Sequence, residues 1–187
     1  GRGGYEYFEK EDNYIFTISQ WFPRLCVYDA VEGWQNKQFT GRGEFALEFG
    51  NYNVKMTLPD DYVVASTGEC QNLDKMLTST QQQRWELASN NKGTEPMEIV
   101  TLAEANANAK SKKSKSTKTW EYRADNVRDF AWGASRKFVW DALPHTTTAG
   151  KKVMCMSYYP KESYPIYSKY STKAVKHTLE VYSRYSI

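Results

Sequence analysis

The sequence predicts a mainly β protein, an antiparallel sandwich or pair of curved sheets with one short inserted helix and a closing C-terminal helix. Three observations carry this. Short strand-like runs recur along the chain, and turn residues divide them. Fourteen Tyr, eight Phe and six Trp give an aromatic load that suits a pleated surface. Helical periodicity is confined to one Ala-rich segment and the tail.

In chain order, Tyr14 to Ile18 alternates, and Phe39 to Phe49 alternates with Phe45, Leu47 and Phe49 on one face. Gly50-Asn51 is read as a break before a strand over Asn53 to Leu58, with Val54, Met56 and Leu58 facing one way. Pro59-Asp60-Asp61 is a turn, because Pro fixes φ and Asp bonds its own backbone. A strand resumes at Tyr62 to Ala65. Gln81 to Ala88 is read as a strand with Trp85 and Leu87 inward, and Met97 to Val100 as another. Thr101 followed by Glu104 has capping-box spacing before an alanine-rich helix that runs to about Lys110. Lys110 to Lys118 is a basic, low-complexity connection. Strands return at Thr119 to Arg123, Asp129 to Gly133, Phe138 to Ala142 and Val153 to Tyr159. From Ser163, with Pro165 just after it, the tail is helical. Tyr170, Ala174, Thr178, Val181 and Tyr185 form one stripe, and Val175, Leu179 and Tyr182 a second. Two apolar stripes call for contact on more than one side. The division expected is a β-rich unit over 1–162 and a helix over 163–187 that leads onward, since no helix-stop signal precedes Ile187.

At 187 residues the chain suffices for one domain, burying roughly 70% of its unfolded surface. A net charge of +3 gives no whole-molecule pull toward nucleic acid. Trp120 and Tyr122, the aromatics nearest the Lys110–Lys118 run, are better used in the core than for base stacking. No run approaches the roughly 20 apolar residues of a membrane span. Cys26, Cys70 and Cys155 are odd in number and widely spaced. Three reduced thiols are therefore favoured over a disulfide plus one free thiol.

Catalytic signatures are missing. Only His145 and His177 could supply imidazole, and His177 with Glu180 on one helix face makes two ligands, too few for a zinc site. Neither a Gly-x-Ser-x-Gly elbow nor a phosphate-binding glycine loop is present. Trp21, Trp34, Trp132 and Trp140 are read as core residues, with a sugar platform as the rival use. A free-standing carbohydrate- or protein-binding β-sandwich is accordingly the alternative function.

Four segments in order resemble a known family. The run from Phe16 to Asp29, containing Gln20-Trp21-Phe22-Pro23-Arg24, is similar to the start of the second half of the N-terminal domain in family M1 zinc aminopeptidases. Glu44 to Pro59, closing with Tyr62 to Gly68, resembles that domain's paired strands and following turn. Asn126 to Ser135, with Asp129-Phe130-Ala131, resembles a further strand of the domain. Tyr170 to Leu179 resembles the first helix leading into the thermolysin-like catalytic domain. The likeness runs from about Tyr5 onward.

The family's Gly-x-Met-Glu-Asn exopeptidase motif and His-Glu-x-x-His helix are absent, and both would follow Ile187. The domain's first strands would precede Gly1 or be replaced by the Gly-rich start. The resemblance implies a non-catalytic wall of a peptide-substrate cleft, packed on the missing catalytic domain of the same chain. This stretch would then hold no cofactor, and the zinc would sit in that other domain, activating water with a Glu as general base. It further implies that Gln20 accepts from the substrate's free amine. The competing use of Gln20 is a strand-end side chain that bonds backbone.

Overall fold

The computed structural model describes residues 2–38 and 46–185. Antiparallel strands dominate, as the sequence predicts. β1 (Arg2–Phe8) and β2 (Asn13–Ser19) form a hairpin closed by a 3-10 turn and by Asp12 in the left-handed region. β3 (Tyr28–Asp29) and β4 (Gly33–Trp34) make a small ribbon. β5 (Gly50–Pro59), β6 (Val63–Ser66) and β7 (Glu69–Cys70) follow, and then come the short α1 (Leu73–Met76) and α2 (Ser79–Ser89). β8 (Met97–Val100) precedes α3 (Leu102–Lys110), β9 (Thr117–Val127) and β10 (Trp132–Ser135). β11 (Phe138–Thr146), β12 (Lys152–Pro160) and α4 (Tyr164–Tyr185) complete the order.

The strands form three main sheets, ordered β1-β2-β10-β6, β5-β9-β7 and β12-β11-β8. The first is the middle layer. Alternate residues of a strand face opposite ways, and β6 shows the consequence. Val63 joins the core shared with Trp140, Ile99 and α2, while Val64 joins the core shared with Trp120, Tyr122 and Phe130. α4 lies against β11 and β12.

Several sequence expectations change. Gln81 to Ala88 is not a strand but the body of α2. Thr78 and Gln81 make a complete capping box, and Gln81, Arg84, Trp85 and Ala88 turn inward at helical spacing, while Leu87 is exposed. The inserted helix expected after Thr101 is present, with its own capping box, but it is not alone. Gly50-Asn51 opens β5 instead of breaking it. Of the strand expected over Phe39 to Phe49, residues 39–45 lie outside the described residues, and 46–49 have no regular structure. The first stripe of α4 faces away from the sheet. Thr172, off both expected stripes, is the helix's buried residue.

One glycine is required by close approach. Gly68 has φ +86, and a Cβ there would lie 2.3 Å from the Arg123 carbonyl oxygen, so the turn after β6 presses directly on β9.

Candidate functional site

β2 ends at Ser19, and Gln20 follows with φ 50. Asp12 and Asn126, the other side-chain-bearing residues in this region, are types that tolerate it, whereas Gln is not. Such a conformation costs about 1–2 kcal/mol and persists where the surroundings dictate it. Here they do. Trp21 Nε1 donates to the Phe130 carbonyl at 3.1 Å. Arg24 Nη1 lies 3.0 Å from Asp129 Oδ1, which also accepts from the Phe130 amide at 2.7 Å. The Phe22 ring packs edge-on against Tyr52, and Tyr52 packs against Phe130. Ala131 is tied to Thr67 in both directions, its amide donating to Oγ1 at 3.1 Å and its carbonyl accepting from the Thr67 amide at 2.9 Å.

Two of the segments singled out in the sequence, Gln20–Arg24 and Asp129–Ala131, are thus fastened together across more than a hundred residues. Gln20 is left half-buried, its amide making no hydrogen bond among the described residues. An amide oxygen held on a constrained backbone and not committed to a protein donor is chemically able to accept from an ammonium.

His145 and His177 meet the same acid. His145 Nδ1 is 3.9 Å from Glu180 Oε1, and His177 Nδ1 is 3.8 Å from Oε2. Lys176 also pairs with Glu180 and is the main cause of a carboxyl held below the usual range. Among the described residues no group of three or more His, Cys, Asp and Glu could hold a metal ion. The three cysteines are free, and burial pushes the thiols of Cys70 and Cys155 up. Of the four Trp read as core, Trp140 is buried and Trp132 half-buried, whereas Trp21 is 42% exposed and Trp34 63%, the latter stacked edge-on with Tyr28; Trp120 is buried, as read. No helix among the described residues is long and apolar enough to cross a membrane.

α4 joins the sheet through a cluster the sequence did not announce. Asp141 on β11 is 2% exposed, accepting from Tyr159 Oη at 2.7 Å and from Thr172 Oγ1 of the helix. Burial raises its pKa, the two hydroxyl donors oppose that shift, and Glu98 adds to it. With this face anchored, the opposite one presents Ile166, Tyr167, Tyr170, Ala174, Thr178 and Tyr185 to solvent, Tyr170 at 65%. Of the second stripe, Val175 and Tyr182 are exposed at its flank and Leu179 is half-buried. Compared with family models, characterised proteins and solved structures, the chain matches none.

Proposed function

We propose that this chain is the non-catalytic N-terminal domain of a family M1 zinc aminopeptidase, forming one wall of the substrate cleft. The observation that supports this most is the outward face of α4. Ile166, Tyr167, Tyr170 and Tyr185 are exposed apolar side chains on that face, beside Lys169, Lys173 and Arg184, with the Tyr167 ring also 5.5 Å from buried Tyr159. A solvated helix rarely keeps such a face without a partner to cover it. On this reading the catalytic domain covers it, and Gln20, set apart by its backbone conformation and by an amide unbonded among the described residues, accepts from the free amine of the peptide substrate. Zinc and the general base belong to the catalytic domain, and this chain contributes positioning.

The test is the coding sequence beyond the codon for Ile187. A His-Glu-x-x-His followed by a further Glu is expected there. A stop codon, or continuation into a domain lacking that motif, overturns the peptidase reading.

One observation favours the binding-module alternative. The Tyr28–Trp34 pair is exposed with ring centroids 5.2 Å apart, though at 68° the rings do not form one flat platform for a sugar face. Oligosaccharide binding lost on Trp34→Ala would establish that alternative, and a glycan array without hits would remove it.

A further inference from the structure

The middle sheet is wider than the sheet that covers it. The registers place Tyr5 opposite Phe16, Phe16 opposite Ala134 and Ala134 opposite Val64, so all four share one face, and Tyr7 and Tyr14 form the neighbouring pair. At one end of this row Val64 and Ala134 are wholly buried beneath the β5-β9-β7 sheet. At the other end Tyr5 is 64% and Tyr7 47% exposed. Among the described residues the covering sheet stops at β5. Among the described residues β5 hydrogen-bonds only to β9, which leaves its second edge unpaired.

Between that edge and the aromatic floor lies a cleft of about 550 Å³. Met56 to Pro59 of β5 form its wall, and Tyr14, Phe16 and Trp132 its floor. The floor rings Tyr14, Phe16 and Tyr62 form a ladder at 5.8 Å and 6.2 Å, which Tyr5 continues beyond the cleft at 5.6 Å from Tyr14. Among the described residues Lys113 is the one charged residue that lines the cleft. Its ammonium lies 5.5 Å from the Tyr14 ring centre and is bonded to Asp12 at 2.6 Å.

We infer that this cleft is a strand-addition site: an extended segment of another polypeptide pairs with the outer edge of β5 over the Tyr5–Phe16 floor. An unpaired strand edge offers main-chain donors and acceptors in one row, and a sheet adds its next strand about 4.8 Å away. The floor is apolar, so the added strand needs apolar side chains at alternate positions facing it. Lys113 lines one end of the cleft, where an acidic side chain of the partner can compete with Asp12 for its ammonium. A small polar ligand fits poorly, since the wall and floor offer rings and aliphatic carbons with few polar groups. The inference does not depend on the peptidase reading, because neither Gln20 nor the outward face of α4 takes part.

The probe is a fluorescein-labelled octapeptide alternating valine and threonine, with one aspartate near its end, titrated with the 187-residue chain by fluorescence anisotropy. A matched peptide, N-methylated at alternate residues along one edge, keeps the side chains and removes the ladder donors. Saturable binding is expected, weakened at least tenfold by N-methylation and severalfold by Lys113→Glu. Lys113 is a surface residue, and loss of its exposed pair with Asp12 leaves the fold intact, which circular dichroism checks. Tyr5→Ser/Tyr7→Ser, on the exposed floor, is a second variant expected to weaken binding. No saturable binding, or equal binding of the two peptides, overturns the inference. So does a dimer in sedimentation equilibrium that Tyr7→Lys abolishes, since the edge would then serve a second copy of this chain.

Discussion

Replacing Thr172 with Val removes one hydroxyl and keeps the volume, so the variant reads the clamp between α4 and the sheet without opening a cavity. Among the described residues Asp141 has two hydroxyl donors, Tyr159 and Thr172, and no cationic partner. A hydrogen bond to a charged group contributes about 1.5–3 kcal/mol and a neutral one about 1 kcal/mol. Thr172→Val is therefore expected to cost about 2–3 kcal/mol where Asp141 is ionised, and about 1 kcal/mol where it is protonated. The direction follows from burial, which raises the folded pKa of Asp141 above its unfolded value. The folded state then holds its proton where the unfolded chain has lost it, so this residue's contribution to stability declines as pH rises between the two values. Losing a donor to the carboxylate raises the folded pKa further, and the variant's penalty grows toward neutral pH. Urea unfolding of both proteins from pH 4 to 8 measures it. A difference below about 0.5 kcal/mol, or one flat across that range, refutes the role of Asp141 as the hydroxyl acceptor that anchors the helix.

Three further outcomes are expected. Gly68→Ala meets the Arg123 carbonyl and a left-handed backbone together, and should lower stability by at least about 2 kcal/mol in thermal unfolding. Thr78→Ala removes half of the α2 capping box and should cost about 1 kcal/mol, with loss of helical ellipticity ahead of the main transition. In a thiol titration of the native chain Cys155 should stay unreactive until unfolding, because burial suppresses its thiolate, and fast labelling would contradict the packing of β12.

Much of the sheet architecture was legible because turn chemistry marks strand ends. Pro59-Asp60-Asp61 turns as expected, with the Tyr62 amide donating to the Pro59 carbonyl at 3.1 Å. The miss at α2 had a signal. Thr78-x-x-Gln81 has the spacing that correctly placed α3 at Thr101-x-x-Glu104, but Trp85 and Leu87 also fit a period of two over a short window. The outward stripe of α4 could not be assigned from periodicity, since two apolar stripes compete and a buried Asp141 decides which side meets the sheet. Gln20 came from resemblance alone. Its left-handed backbone has no sequence signature, because the residues enforcing it, Asp129 and Phe130, lie far along the chain. The cleft beside β5 was equally hidden, for strand order is a property of long-range pairing.

That this domain positions peptide substrates for a zinc site on the catalytic domain is a proposal. It is tested most directly by expressing the complete gene product and measuring release of the N-terminal residue from an aminoacyl anilide, with and without Gln20→Ala. The account predicts zinc-dependent turnover by the complete product, reduced about tenfold to a hundredfold in kcat/KM by Gln20→Ala, as expected for loss of one acceptor to an ammonium. Turnover indifferent to Gln20→Ala removes the positioning role, and a complete product without zinc-dependent turnover contradicts the account.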